Sequence, residues 1–214
     1  MTLRDDLRLY LIADTGVCPP DRIVASVALA LRGGVTCVQL RAKDETTAVQ
    51  VRLARELAAL CAGPRVPFIV NDRADVALAS GAGGVHVGHI DRDDLHPADA
   101  RRLMGPDRIV GVSVGSAVEA RSAVGAGASY VSAGPMLATR TKSDAGPPAG
   151  EPLLRAVGGV VEVPFVVIGG ITEADAAAWI AAGADGICVA SAILGAADPE
   201  GAARRFRAAV EGAR

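Results

Sequence analysis

Residues 35–43 read V-T-C-V-Q-L-R-A-K, and the fold of the chain turns on how this stretch is understood. Val35, Val38 and Leu40 favour an extended backbone, and Thr36 and Cys37 fit the same conformation. Gln39, Arg41 and Lys43 then fall at every second position. Side chains alternate across a strand, so these three share one face while Leu40 and Ala42 share the other. One reading is a sheet with a face in water. The other is a sheet covered on both sides, where two cations need a partner. The flanking segments decide between them.

Upstream, Leu9–Ala13 is an apolar run ending at Asp14, and Pro19–Pro20 open a helical pattern through Leu31 that stops at Gly33–Gly34. Downstream, Asp44 and Glu45 suit the start of a long helix through Leu60, ended by Gly63–Pro64. Strands are then predicted at Pro67–Val70, Gly84–Val87, Ile109–Val112, Tyr130–Ala133, Phe165–Ile168 and Ile187–Val189. Helices are predicted around Ala74–Ser80, Pro97–Met104, Ala117–Val124, Pro152–Val157, Asp175–Ala181 and Pro199–Glu211. Short, wholly apolar strands each followed by a helix imply a parallel sheet buried on both faces. Eight such units, with no linker wide enough to part them, predict one α/β domain over residues 1–214, a (β/α)8 TIM barrel. The alternative is a doubly wound open sheet, but the first strand–helix turn carries no G-x-G-x-x-G fingerprint.

Composition agrees with that class. Half of the 214 residues are hydrophobic and only six are aromatic, which suits Ala- and Val-rich helices packed on a parallel sheet. With 22 basic and 24 acidic residues the net charge is −2, so nothing in bulk charge points to nucleic acid or an anionic membrane. Cys18, Cys37, Cys61 and Cys188 are scattered without a C-x-x-C pair and read as small core residues. The charged start, M-T-L-R-D-D-L, is unlike a signal peptide, and a cytoplasmic setting is expected.

In a barrel of this kind the C-terminal strand ends form the active rim. Polar residues and small ones that free the backbone cluster at those ends: Gln39, Arg41 and Lys43; Asn71 and Asp72; Asp91; Ser113; Thr139, Thr141 and Lys142; Gly169 and Gly170; Ala190 and Ser191. Asp72 and Asp91 are hard oxygen ligands of the kind that hold Mg²⁺ together with phosphate oxygens. Asp72 also reads as a helix N-cap before Ala74, and Asp91 as part of an acidic helix lead-in. Arg41, Lys43 and Lys142 together can neutralise a diphosphate. The loops with Gly169-Gly170 and Ala190-Ser191-Ala192 match the position of a backbone phosphate site, or are ordinary tight turns. Ala138–Gly150, rich in Thr, Gly and Pro, reads as a lid or a surface loop. His86 reads as a packed polar residue, His96 as a helix start, and His89 as a rim group within reach of substrate. No Ser/His/Asp or Cys/His arrangement is apparent.

Six motifs carry a resemblance: Q-L-R-A-K, V-N-D-R-A-D-V-A, G-V-H-V-G-H-I-D, G-V-S, A-G-P-M-L-A-T-R-T-K and V-I-G-G-I-T. In this order and spacing the chain resembles the thiamine-phosphate synthase family over essentially its whole length. The resemblance implies a (β/α)8 barrel that joins a hydroxymethylpyrimidine diphosphate to a thiazole phosphate, releasing pyrophosphate, with Mg²⁺ as cofactor. It implies pyrimidine-diphosphate contacts at Gln39, Arg41, Lys43, Asn71, Ser113 and Lys142, with Asp72 and Asp91 on the metal. It implies a thiazole-phosphate site at Thr139, Arg140, Thr141, Gly170, Ala190 and Ser191. It further implies a dissociative reaction through a pyrimidine carbocation, served by Arg41, Lys43, Ser113 and Lys142, with the two small-molecule substrates as partners. Two departures stand out: His89 replaces the usual glutamine, and Gly115 lies where a histidine often stands. The related thiazole tautomerase and a non-catalytic phosphate binder share the fold. Asn71-Asp72, Asp91 and T-R-T-K favour the synthase, because a tautomerase handles no diphosphate.

Overall fold

The computed structural model describes residues 2–89, 95–139 and 146–213. Strands β1 (Leu9–Asp14), β2 (Cys37–Arg41), β3 (Phe68–Asn71), β4 (Gly84–Val87), β5 (Ile109–Val114), β6 (Tyr130–Ala133), β7 (Phe165–Ile168) and β8 (Gly186–Val189) pair in that order. All pairs are parallel, and β8 returns to β1 through Leu9↔Ile187 and Leu11↔Val189. That closure removes both sheet edges and excludes the open doubly wound alternative. Around the barrel lie α1 (Leu3–Asp6), α2 (Ile23–Arg32), α3 (Thr47–Ala62), α4 (Ala74–Ser80), α5 (Pro97–Met104), α6 (Ala117–Gly125), α7 (Gly150–Gly158), α8 (Glu173–Ala181), α9 (Ser191–Leu194) and α10 (Pro199–Glu211).

Strand alternation splits the apolar side chains into two layers. Leu9, Leu11, Val38, Leu40 and Val70 pack outward against helix residues such as Leu53, Leu57 and Phe206. Tyr10, Ile12, Cys37, Ile69, Tyr130 and Val166 fill the barrel interior. The two faces of β2 are therefore both covered. Its polar face meets the barrel interior, and the half-wet sheet is ruled out.

Several boundaries differ from the sequence reading for local reasons. β2 spans five residues, because the ladder ends at Arg41 and residues 43–44 already turn. Lys43 thus reaches the rim from a turn and not from the strand. α2 begins at Ile23, since Arg22 and Ile23 both donate backbone N–H groups to Pro19 O and the prolines form a turn ahead of it. α3 begins at Thr47 because Thr46 Oγ1 accepts from Val49 N, so the hydroxyl caps the helix and Asp44-Glu45 stay outside. α1 was not foreseen; it is closed by a capping box between Thr2 and Asp5. All four cysteines are buried free thiols, as expected of core residues. Burial pushes the Cys61 thiol up to about 12.

Candidate active site

The C-terminal strand ends surround a cavity of about 830 Å³. Gln39, Arg41, Lys43, Asn71, Asp72, Ser113, Thr139, Gly170, Ala190 and Ser191 all line it. Asp91, Arg140, Thr141 and Lys142 lie outside the described residues, as does the middle of the 138–150 stretch.

One wall holds two cation–carboxylate pairs. Arg41 Nη1 donates to Asp14 Oδ2 at 2.7 Å, and Asp14 is 3% exposed. The two residues are partners in the β1–β2 register, so the ladder itself sets them side by side. Asp14 Oδ1 also accepts from Gly16 N. Lys43 Nζ lies 3.2 Å from Asp72 Oδ2, and Asn71 Nδ2 donates to the same oxygen at 2.6 Å. Among the described residues Asp72 Oδ1 accepts nothing. Asp72 has φ +61, and its turn is closed by Arg73 N donating to Asn71 O and by Asp72 N donating to His86 O. A non-glycine residue held there stores strain on the order of 1–3 kcal/mol, as residues at functional sites often do. Asp72 is not the N-cap of α4: that position is Arg73, whose side chain makes no capping bond.

A second group lies inside the barrel below this wall. Gln39 Nε2 donates to Tyr10 Oη (2.7 Å), which bonds Tyr130 Oη (2.8 Å). Tyr130 Oη bonds His86 Nδ1 (2.8 Å), and His86 Nε2 bonds Ser113 Oγ (3.0 Å). His86 is thus the packed polar residue the sequence implied, and it joins two predicted site residues. Gly111 makes the arrangement possible: a Cβ there would sit 2.2 Å from the Tyr130 ring.

Opposite, Gly169 and Gly170 have φ of +106 and +69. A Cβ at Gly170 would meet Ala138 O at 2.4 Å, and one at Gly169 would meet Pro135 at 2.7 Å. The close approach these glycines permit is therefore that of the segment after β6, pinned by Met136 N to Ile168 O and Leu137 N to Gly169 O. That packing brings Thr139 and Gly170 to one side of the cavity. Ala190 precedes the one-turn α9, whose start also faces the cavity through Ser191 and Ala192.

His89 lies at the rim with Nδ1 2.7 Å from Glu119 Oε2, which also accepts from Gly115 N. The space above Gly115 is taken by the His89 ring, 3.4 Å from where a Cβ would stand. Burial works to raise the Glu119 carboxyl, but the bonds from His89, Gly115 N–H and Ser116 outweigh it and hold it below its ordinary value. His96 caps α5 by accepting from Ala98 N.

The sequence reading passed over Asp14, Tyr10, Tyr130, Gly111 and Glu119. Asp14 had a visible signal, a carboxylate ending an apolar strand like Asp72. The tyrosines looked like core residues and their polar role appears only when the barrel closes. Among the described residues no cluster of three or more His, Cys, Asp or Glu could hold a metal, and no helix is long and apolar enough to cross a membrane.

Fold and rim together define the class: a (β/α)8-barrel enzyme with paired cations and carboxylates at the C-terminal mouth. The family described as "Thiamine monophosphate synthase" matches residues 9–193. The chain is 46% identical over 209 residues to "Thiamine-phosphate synthase" of Xanthobacter autotrophicus, covering 98% of each. It is 48% identical over 202 residues to the protein of that name from Methanoregula boonei, covering 94% of this chain and 92% of the relative. Among solved structures, a thiamine phosphate pyrophosphorylase from Pyrococcus furiosus superposes with TM-score 0.90 at 37% identity over 99% of both chains. The chain belongs to the thiamine monophosphate synthase family.

Proposed function

We propose that this chain is a Mg²⁺-dependent thiamine-phosphate synthase. In this reading it couples 4-amino-5-hydroxymethyl-2-methylpyrimidine diphosphate to thiazole phosphate and releases pyrophosphate. The observation that carries the reading is the meeting, in one cavity, of the Arg41–Asp14 and Lys43–Asp72 wall with the Thr139, Gly170 and Ala190-Ser191 wall. The first wall suits a diphosphate with its metal, and the second suits a monophosphate.

The donor set fits Mg²⁺. This ion keeps waters and phosphate oxygens and needs only one or two carboxylates, and Asp72 offers an oxygen, Oδ1, that accepts from nothing among the described residues. Asp72 would hold it, with Asp91 as the partner the family pattern supplies. Bound there, Mg²⁺ would contribute positive charge to the diphosphate oxygens.

The chain's own groups account for the rest. Arg41, Lys43 and Lys142 bind the leaving diphosphate and stabilise the charge it gathers as the C–O bond breaks with its electron pair. Lys43 is already paired with Asp72, so its charge is offset before substrate arrives and the ammonium turns from carboxylate to phosphate when it does. Gln39, Asn71 and Ser113 orient the pyrimidine. Thr139, Arg140, Thr141, Gly170, Ala190 and Ser191 hold the thiazole phosphate so that its ring nitrogen faces the carbocation. That nitrogen's lone pair forms the new C–N bond, and no proton changes place. Apolar Ile12, Leu153, Ile168 and Ile171 in the cavity wall keep water from capturing the cation first.

The Asp72→Ala variant tests the assignment of the two walls. It should abolish turnover while thiazole-phosphate affinity, measured by calorimetry, stays within about twofold of wild type, because a uniform binding loss and a transition-state loss separate in this way. Equal loss of both would contradict it.

A further inference from the structure

Five groups in and just beneath the cavity floor form one continuous chain, Gln39–Tyr10–Tyr130–His86–Ser113, with links of 2.7, 2.8, 2.8 and 3.0 Å. Gln39 and His86 are 3% and 6% exposed, and both tyrosines are fully buried. Burial holds both phenols well above their ordinary value, so each remains a hydroxyl with one proton to give. Each hydroxyl can donate once, so the direction of any one link fixes the direction of its neighbours.

Starting from Gln39 Nε2 as donor, Tyr10 Oη accepts and must give its proton to Tyr130. Tyr130 in turn gives its own to His86 Nδ1. The imidazole is then the Nε2–H tautomer and donates to Ser113 Oγ, leaving the Ser113 proton for another acceptor. If Tyr130 donated to Tyr10 instead, Tyr10 would hold a fully buried proton with no acceptor, a cost of about 1–3 kcal/mol. The other self-consistent states turn the Gln39 amide over and reverse the links from Gln39 to His86 Nδ1, with the imidazole either protonated on Nδ1 alone, accepting from Ser113, or protonated on both nitrogens. At the two ends, Gln39 Oε1 has no partner among the described residues; Gln39 and Ser113 line the cavity, as do Tyr10 and His86 between them.

We infer that His86, as the neutral Nε2–H tautomer, is a positioning residue that fixes the direction of this chain. Gln39 thereby shows the cavity a hydrogen-bond acceptor and Ser113 shows it a donor. Resting on the synthase reading, this makes the chain the element that selects an amino-substituted pyrimidine: Gln39 Oε1 accepts from the exocyclic amine, and Ser113 Oγ–H is reserved for an acceptor on the same substrate. A ring carrying a carbonyl in place of the amine would set two acceptors against each other. Gly111 belongs to the device, since only glycine leaves room for the Tyr130 ring above it.

The test has an arm that needs no turnover. Nitrogen-15 histidine spectra of the ligand-free protein are expected to show His86 protonated on Nε2 alone; protonation on Nδ1, or on both nitrogens, would overturn the inference. The second arm uses the authentic pyrimidine diphosphate and its 4-oxo analogue. Wild type should prefer the amine by about 100-fold, as sites with buried hydrogen-bonding groups do. Tyr130→Phe and Tyr10→Phe, which cut the chain at different links, should each reduce that preference below about tenfold. Each should also raise the KM for the pyrimidine diphosphate and leave that for thiazole phosphate unchanged. An unchanged preference, or a parallel rise in both KM values, would show the tyrosines to be structural only. If authentic substrates give no product, the synthase reading fails and the spectra alone decide the chain's direction.

Discussion

Asp14 and Arg41 show how a single ladder register creates a functional pair. Asp14 is nearly inaccessible, and the guanidinium at 2.7 Å is its charge partner. Removing one member of such a pair leaves a buried charge uncompensated. Arg41→Ala should therefore lower stability by about 3 kcal/mol, at the lower end of the buried-pair range because Arg41 is partly exposed. Adding Asp14→Asn should recover most of the loss. Urea unfolding of the two variants checks this; equal stability of Arg41→Ala and wild type would mean the pair is solvent-screened. Diphosphate binding should fail in both variants, since neutralising Asp14 restores the fold and not the cation. Asp72 differs: its left-handed backbone is set by its turn, and its charge is offset by Lys43 at the surface of the cavity.

At the scale of elements, the start of α6 ties the fold to the rim. Ser116 caps the helix by accepting from Glu119 N, while the Glu119 carboxylate gathers Gly115 N and His89. Its depressed value means that folding favours the ionised form. The stability it adds is fully present above the ordinary value of 4.5 and is lost as pH falls through the lower folded value. Glu119→Gln should be less stable than wild type by about 1 kcal/mol at pH 7. The gap should close as pH is taken below 4.5, read from unfolding curves across pH; a gap that widens toward acid would contradict the assignment. Elements were also where the sequence was most legible. Apolar runs stopped by polar residues, glycine or proline marked all eight strands, and the described strand-end polar residues share one rim because parallel strands share a direction. What could not be read were relations set by register and closure: Arg41 facing Asp14, Tyr130 lying over Gly111, and Lys43 arriving from a turn. Gly169-Gly170 looked like a phosphate loop, and their immediate role is to admit the segment after β6. Asp72 resembled a helix cap until its backbone placed the cap at Arg73.

The whole molecule depends on closing the ring of helices as well as the barrel. α10 returns to α2, where a Cβ on Gly33 would meet Glu200 O at 2.3 Å and the Ala203 methyl at 2.6 Å. Backbone cannot yield as a flexible side chain does, so Gly33→Ala should cost about 1–3 kcal/mol. For a chain of this size that is a fall in Tm of about 2–10 °C by calorimetry. Activity per folded molecule should be unchanged, because Gly33 is remote from the rim; an unaltered Tm would mean the two helices slide apart freely. With the frame so fixed, the mouth is left to chemistry. Its two walls must act on two substrates in one event. The most direct measurement is a single incubation of the protein with the pyrimidine diphosphate, thiazole phosphate and Mg²⁺, with each component omitted in turn, followed by quantitation of both products. Thiamine phosphate and pyrophosphate are expected in equal amounts only when all three are present. Binding of thiazole phosphate without any thiamine phosphate from authentic substrates would contradict the synthase reading.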